Sequence, residues 1–326
     1  MATSTMQDWK ITKDEYKTLV SYLGCGDFQK AKIVFFGIEE GTGGNGIEEN
    51  VVARANLFGE FDNGTITSAL KMGERENGYW EPNALLGGNK VRGIKGLPPV
   101  GAFLKGFYNP TIARISLELE SPEEVPEYWF QGMNENLGAK KKIIERIGQL
   151  YQKDSESQLA IALTDWRPLP RPNENDWPSE YGGINKNLYL KAFDNPGSTQ
   201  IYEDSFSNYT EDAHHRAQLL RNLLTTNSIP LIIGLGNIPA KKKLLENIFP
   251  GLHFESFPSN ILPDHPGLKG FCEGSSHTQF FLLPFPDPKS RTWKSDREDL
   301  TPGKLSRLYY REVTQTQIRP IIRPFL

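Results

Sequence analysis

The sequence predicts an α/β fold, a three-layer sandwich in which a central, mainly parallel sheet lies between two layers of helices. Short apolar runs that end in glycine, proline or an acid recur along the chain, and such runs are typical of strands buried on both faces. Segments with helical spacing separate them, and this alternation implies right-handed crossovers between parallel strands. The 326 residues, 37% of them hydrophobic, suffice for one large domain, and no internal repeat divides them.

The strands are predicted from apolar runs bounded by turn-forming residues. The expected strands are 32–37, 159–165, 230–236, 253–257 and 278–283. The second precedes a proline-rich run, 166–172. We expect it to end there because proline cannot donate a hydrogen bond to a neighbouring strand.

The helices are predicted from apolar residues three or four positions apart. A helical lead-in is expected within 6–29, and further helices near 47–57, from about 105 to 120, and at 135–153, 211–226 and 239–247. Thr210 is placed to cap the helix at 211–226. We therefore expect a single domain, 1–326, with insertions near 60–97 and 173–208.

The charge of the chain is unevenly distributed. The net charge is −3, yet residues 289–326 carry nine Lys or Arg against four acids. A basic C-terminal segment of this kind either meets a phosphate backbone or forms a solvated surface. Two cysteines provide neither a disulfide framework nor a four-cysteine iron–sulfur site. No signal-peptide core or membrane-length apolar run is present, so we expect a soluble cytoplasmic protein without a membrane partner.

The end of the first predicted strand carries the most informative residues. Glu39 and Glu40 follow Gly37 and precede three more glycines, at 41, 43 and 44. Ligands of open α/β sheets bind outside the carboxyl ends of the strands, where such acids are placed to act as a general base. The spacing matches neither a P-loop nor a dinucleotide fingerprint. The alternative interpretation is an acidic surface turn.

The ends of four predicted strands form a set that resembles the uracil-DNA glycosylase superfamily. The motifs are Gly37-Ile-Glu-Glu-Gly41, Leu163-Thr-Asp-Trp-Arg-Pro-Leu-Pro170, Ile233-Gly-Leu-Gly-Asn237 and Leu283-Pro-Phe-Pro-Asp-Pro-Lys-Ser290. Their order and spacing are similar to those of the family, and the similarity covers the core strands and their loops. The resemblance implies a uracil-DNA-glycosylase-like sandwich that binds DNA and hydrolyses an N-glycosidic bond without a metal or an organic cofactor.

The resemblance also implies roles for individual residues. Glu39 falls on the position that orients or activates water, with Glu40 as the alternate, and Asp165 on the position that reads the flipped base. Phe58 and Phe61 follow the first loop where the family places a stacking ring, although core packing is an equal alternative. The implied DNA contacts are Pro98, Pro99, Gly101, Asn237, Lys289, Ser290 and Arg291. For Asn237 the alternative is a helix start, and for the last three a solvated turn.

Two departures from the family pattern change the expected substrate. Phe285 begins the last motif where the family has a histidine, and only a bent strand would let His277 replace it. Asp165 stands where the family has asparagine. An ionised carboxylate only accepts hydrogen bonds, so it suits the amino group of cytosine and repels the O4 carbonyl of uracil. We expect a modified cytosine, such as glucosylated hydroxymethylcytosine of phage DNA, as in phage-defence members of the superfamily.

Three other functions remain open from the sequence. The missing histidine is compatible with a catalytically silent module that recognises modified DNA. A uracil-type repair glycosylase is the second alternative. A hydrolase of free nucleosides, favoured by the acidic average charge, is the third, and DNA binding at low salt distinguishes it from the others.

Overall fold

The computed structural model describes residues 9–26, 28–42, 46–58, 106–121, 128–150, 159–226, 228–264, 267–272, 278–293 and 300–326. The strands are β1 (Gly24–Cys25), β2 (Ile33–Gly41), β3 (Ile161–Arg171), β4 (Leu231–Leu235), β5 (Leu252–Ser256), β6 (Leu268–Cys272) and β7 (Gln279–Leu283). The helices are α1 (Lys13–Ser21), α2 (Ile47–Phe58), α3 (Tyr108–Glu120), α4 (Leu137–Gln149), α5 (Lys186–Asp194), α6 (Tyr209–Thr226), α7 (Ile238–Ile248), α8 (Pro302–Val313) and α9 (Arg319–Ile322).

The described strands form one seven-stranded sheet in the order β1-β3-β2-β4-β7-β6-β5. The four central strands β3, β2, β4 and β7 are parallel. β1 and β6 pair antiparallel with β3 and β7 at the two sides, and β5 pairs antiparallel with β6. This confirms the predicted α/β class with a parallel sheet centre. The carboxyl ends of the four parallel strands therefore meet at one edge of the sheet.

Alternate residues of the central strands enter two separate hydrophobic clusters. Ile33 and Phe35 pack in a cluster with α3, α4 and α8, whereas Val34 and Phe36 pack in another with α1, α5, α6 and α7. Strand side chains alternate between faces, so the sheet has a helical layer on each side. The three layers predicted from the continuous apolar runs are thus present.

Two strands are longer than predicted. β2 continues to Gly41, so Glu39 and Glu40 lie within a strand and not in a surface turn. β3 continues through Pro168 and Pro170, contrary to the expectation that proline ends it. β1 pairs only with Leu163 and Thr164, so beyond them one side of β3 has no neighbour in the described sheet, and prolines are tolerated at such an edge.

Other differences concern polar segments. The insertion 173–208 contains α5, and Asn208, not Thr210, accepts the hydrogen bond that caps α6, from the Glu211 backbone. In the basic C-terminal segment, α8 buries Leu305, Tyr309, Tyr310 and Val313, so this segment is packed structure and not a solvated tail. Within the described part of the chain, no helix combines the length and the apolar character needed to cross a bilayer.

Candidate active site at the carboxyl edge of the sheet

Glu39 and Asp165 lie on neighbouring strands at the carboxyl edge. Gly37 pairs with Asp165, and Glu39 pairs with Arg167, two residues further along β3. With strands about 4.8 Å apart and a rise of about 3.3 Å per residue, the Cα atoms of Glu39 and Asp165 are about 8 Å apart. Two carboxylates at this spacing belong to one site.

Two arginines hold the Glu39 carboxylate. Arg167 Nη1 lies 3.0 Å from Glu39 Oε2, and Arg171 donates from Nε to Oε1 and from Nη2 to Oε2. The side chains of Glu39 and Arg171 are 12% and 2% exposed. Burial alone lowers the pKa of Arg171, but the hydrogen bond and charge of Glu39 outweigh it, and that pKa is raised above its usual value. The carboxylate is therefore fixed in orientation.

The hydrogen bonds from Arg167 and Arg171 limit the further contacts that the Glu39 carboxylate can make. A carboxylate has about four lone-pair directions, and the arginines occupy three of them. Among the described residues no further donor to Glu39 is present, so one direction is left for a water molecule. An anion fixed in this way can orient a nucleophilic water or stabilise a nearby positive charge without rearranging.

Arg171 and Arg167 also connect the insertion 173–208 to the site. Arg171 Nη1 donates to the carbonyl oxygens of Glu174 and Asp176, at 3.0 and 3.2 Å, and its guanidinium carbon lies over the Trp177 ring, 5.6 Å from the ring centroid. Arg167 Nη2 lies 2.5 Å from Asp194 Oδ1, at the end of α5. The insertion therefore forms one wall beside Glu39. Neither arginine is predicted from the sequence as a site residue, and the only signal for them is positive charge two and six residues after Asp165.

Asp165 is held against Gly37 from the neighbouring strand. A Cβ atom at residue 37 would lie 1.7 Å from Asp165 Oδ1, so only glycine leaves room for this carboxylate. Its backbone is fixed as well, because the buried Arg216 donates to the carbonyl oxygens of Asp165 and Trp166 at 2.6 and 2.5 Å. Burial lowers the pKa of Arg216 to about 10. Asp165 is half-buried, and its position is set by these contacts.

Lys241 supports the end of β4. Its Nζ donates to the carbonyl oxygens of Leu235 and Gly236, both at 2.9 Å, and only 6% of the residue is exposed. Burial lowers the pKa of Lys241 to about 8, and the charge of Asp165 opposes that shift. These bonds stabilise the turn that leads from β4 to α7.

The pKa of Lys241 predicts a pH dependence of stability. Below about pH 8 the folded and unfolded states both carry the proton, so the full cost of the buried charge is present. Between about 8 and the ordinary value of 10.5 only the unfolded state keeps the proton, so the free energy of unfolding rises with pH. Over this window the wild type should gain about 3 kcal/mol relative to Lys241→Met. Urea unfolding of both proteins from pH 7.5 to 10.5, at about one-unit steps, measures this difference; parallel curves would contradict it.

An aromatic pair lies beside the turn after β4. Gly236 has φ +74°, and a Cβ there would lie 2.8 Å from the Cβ of Phe285. Phe285 is 39% exposed and stacks on Tyr108 at the start of α3, with ring centroids 6.5 Å apart. Asn237 is exposed, its backbone has the left-handed helical conformation, and its side chain makes no capping hydrogen bond to α7. An exposed ring and an exposed amide therefore flank the edge that carries Asp165.

The candidate residues after β7 lie in a short turn. The backbone nitrogen of Lys289 donates to Asp287 Oδ1 at 2.9 Å, and the Lys289 and Arg291 side chains are exposed. Ser290 is half-buried and its hydroxyl lies 3.2 Å from that of Thr292. The turn leads to the buried Trp293, which fixes its position.

The other candidate residues lie in β2, at the end of α2 or outside the described residues. Glu40 lies in β2, and Phe58 is the last residue of α2. Phe61, Pro98, Pro99, Gly101 and His277 lie outside the described residues, as does the insertion near 60–97.

No metal centre is found in the part of the chain that the structure describes. Among those residues, no three His, Cys, Asp or Glu side chains are grouped to hold an ion. Family models, curated proteins and solved structures were compared with the chain, and none matched it.

Proposed function

We propose that this protein is a DNA glycosylase that hydrolyses the N-glycosidic bond of a flipped, modified base. The observation that carries the proposal is the pair of carboxylates, Glu39 and Asp165, on adjacent parallel strands at the carboxyl edge of the sheet. Loss of a base passes through an oxocarbenium-like sugar, which a nearby fixed anion stabilises. Glu39 supplies that anion and orients the water, and Asp165 reads the base.

The substrate that fits Asp165 best is a modified cytosine, with glucosylated hydroxymethylcytosine of phage DNA as the specific candidate. A carboxylate accepts a hydrogen bond from the N4 amino group and repels a carbonyl at the same position. In this proposal the insertion 173–208, which contacts Arg171 and Arg167 beside Glu39, is the part of the chain that contacts the sugar. Phe285 provides an exposed ring on which a base can stack. Such an activity serves antiviral defence.

A second candidate function is a catalytically silent module that recognises modified DNA. The occupation of both Glu39 oxygens by Arg167 and Arg171 favours it, because three of the four lone-pair directions of the carboxylate are engaged by the arginines. Phe285 at the position of the family's histidine favours it as well. In this case DNA would bind but no base would be released.

The experiment that separates these functions is mass spectrometry of bases released from three DNAs. They contain uracil, unmodified cytosine or glucosylated hydroxymethylcytosine, and each is incubated with the purified chain. Release of the glucosylated base supports the proposal. DNA binding without base release indicates the catalytically silent module, and release of uracil alone indicates a uracil-type repair glycosylase. Absence of DNA binding at low salt indicates a nucleoside hydrolase.

Asp165→Asn tests the base-reading role. Asparagine presents either an acceptor or a donor, so the variant should gain release of uracil relative to the modified cytosine. Contacts to a base edge discriminate by about 1–3 kcal/mol, which corresponds to roughly ten- to a hundredfold. Single-turnover release from matched oligonucleotides measures the ratio. An unchanged ratio would remove Asp165 from base recognition.

A further inference from the structure

A cavity of about 220 Å³ borders Pro286, the residue after Phe285, and neither Glu39 nor Asp165 lines it. The start of α3, the turn at 128–133, the loop after β7 and α8 line it, and none of its lining residues belongs to β2 or β3. Most of the wall is apolar, formed by Phe107, Pro110, Met133, Pro286 and Tyr310. The space is smaller than a drug-sized pocket and suits a ligand of one ring and one charged group.

Two guanidinium groups share this apolar wall. Arg114 is 6% exposed, and its Nη1 donates to the carbonyl oxygens of Trp129 and Gln131. Arg307 donates from Nε to the carbonyl oxygen of Phe130 at 3.0 Å. These bonds to the 128–133 turn fix both side chains in place. Burial lowers the pKa of Arg114 to about 10; the positive charge of Arg307 adds to this shift, and Glu135 opposes it.

Little negative charge in the described structure compensates these cations. Glu135 Oε1 lies 3.6 Å from Arg307 Nη2, and the Glu135 side chain is 62% exposed. The first turn of α3, which also borders the cavity, contains no acid, and its N-cap residue Phe107 makes no side-chain capping bond. The partial positive charge of a helix start adds to that of the arginines. A bound anion would offset these positive charges.

We propose that this cavity, with Arg114 and Arg307, binds a phosphomonoester whose body is apolar or aromatic. Two guanidiniums balance the charge of a phosphate dianion, and the planar fork of each can donate two parallel hydrogen bonds to its oxygens. The ring or apolar body packs against Phe107, Met133 and Pro286. The phosphate belongs either to a free nucleoside monophosphate or to the 5′ end of a nucleic acid. This inference does not depend on the glycosylase proposal.

Isothermal titration calorimetry of the full chain tests the site, with thymidine 5′-monophosphate, thymidine and inorganic phosphate as probes. We expect the monophosphate to bind more tightly than either fragment. Arg307→Gln should weaken that binding by about tenfold or more, since a charge-assisted hydrogen bond is lost. Glu135→Gln should tighten it, because the only described carboxylate close to Arg307 is removed, and a gain cannot result from unfolding. Lys243→Gln, an exposed charge on α7 in the other helical layer, is the matched control and should leave binding unchanged.

A second set of titrations shows whether the bound phosphate belongs to a nucleic-acid end or to a free nucleotide. Oligonucleotides with a 5′-phosphate or a 5′-hydroxyl are compared in the same variants. A preference for the 5′-phosphate that Arg307→Gln abolishes indicates a nucleic-acid end, and monophosphate binding without this preference indicates a free nucleotide. Equal affinity for thymidine and its monophosphate, or equal loss in Lys243→Gln and Arg307→Gln, would overturn the proposal.

Discussion

Glu39→Gln is expected to lower single-turnover base release by about a hundred- to a thousandfold, the typical effect of removing one preorganised charged group. The substitution keeps the shape of the side chain but removes the charge that, in the proposed glycosylase reaction, faces the developing sugar cation. DNA binding should persist, because contacts to phosphates supply most of the affinity. Release at the wild-type rate from a folded Glu39→Gln protein would exclude Glu39 as the catalytic carboxylate and make Glu40 the next residue to test.

The same substitution should also lower stability, because it leaves the buried Arg171 without its carboxylate and Arg167 with Asp194 as its remaining carboxylate partner among the described residues. Breaking a buried ion pair on one side costs about 3–5 kcal/mol, and Glu39 and Arg171 are nearly buried. Urea unfolding measures this cost, and activity is compared only at temperatures where the variant is folded. Asp194→Asn is the matched control, because it removes a carboxylate from Arg167 at a side chain that is 50% exposed. We expect this control to retain base release and most of the stability.

Gly37→Ala is expected to lower both stability and base release, because the added methyl group would occupy the position of the Asp165 carboxylate. The new Cβ would lie 1.7 Å from Asp165 Oδ1 and 2.8 Å from its Cγ. Overpacking of this kind costs about 1–3 kcal/mol. A displacement of about 1 Å in a substrate-positioning group costs roughly a hundredfold in rate. Urea unfolding and single-turnover release measure the two effects.

The control for this prediction lies four residues along the same strand. At Gly41 no atom of the described residues lies within 4 Å of an added Cβ, so Gly41→Ala should be close to neutral. The double variant Gly37→Ala/Asp165→Ala removes the clash and should recover stability without recovering activity. Equal effects of the two single glycine substitutions would show that Asp165 does not depend on the missing side chain at residue 37.

The positions of the central strands could be predicted from the sequence because each strand corresponds to a continuous run of apolar residues. Residues 33–36 and 231–235 are buried on both faces, so each reads as a continuous apolar segment wherever its partners lie. The helical spacing of α6 and α7 is equally local. The two-residue β1 and the half-buried β6 have no continuous apolar run. They form because they pair with β3 and β7.

The site was predicted only in part, for a physical reason. A carboxylate that follows an apolar run marks the edge of a parallel sheet, so Glu39 and Asp165 were visible in the sequence. The partners of these acids were not, because Arg167 and Arg171 reach Glu39 only through the register of β2 and β3. The stacking of Tyr108 on Phe285 likewise joins residues far apart in the chain.

By itself the sequence determined the α/β class, the central strands and the acids at their ends, because burial and turn formation are set by neighbouring residues. Tertiary structure alone decided that two arginines fix Glu39 and that Asp165 fits against Gly37. It also placed Arg114 and Arg307 around one cavity. Such contacts depend on distances between segments more than a hundred residues apart, and those distances exist only after the chain has folded.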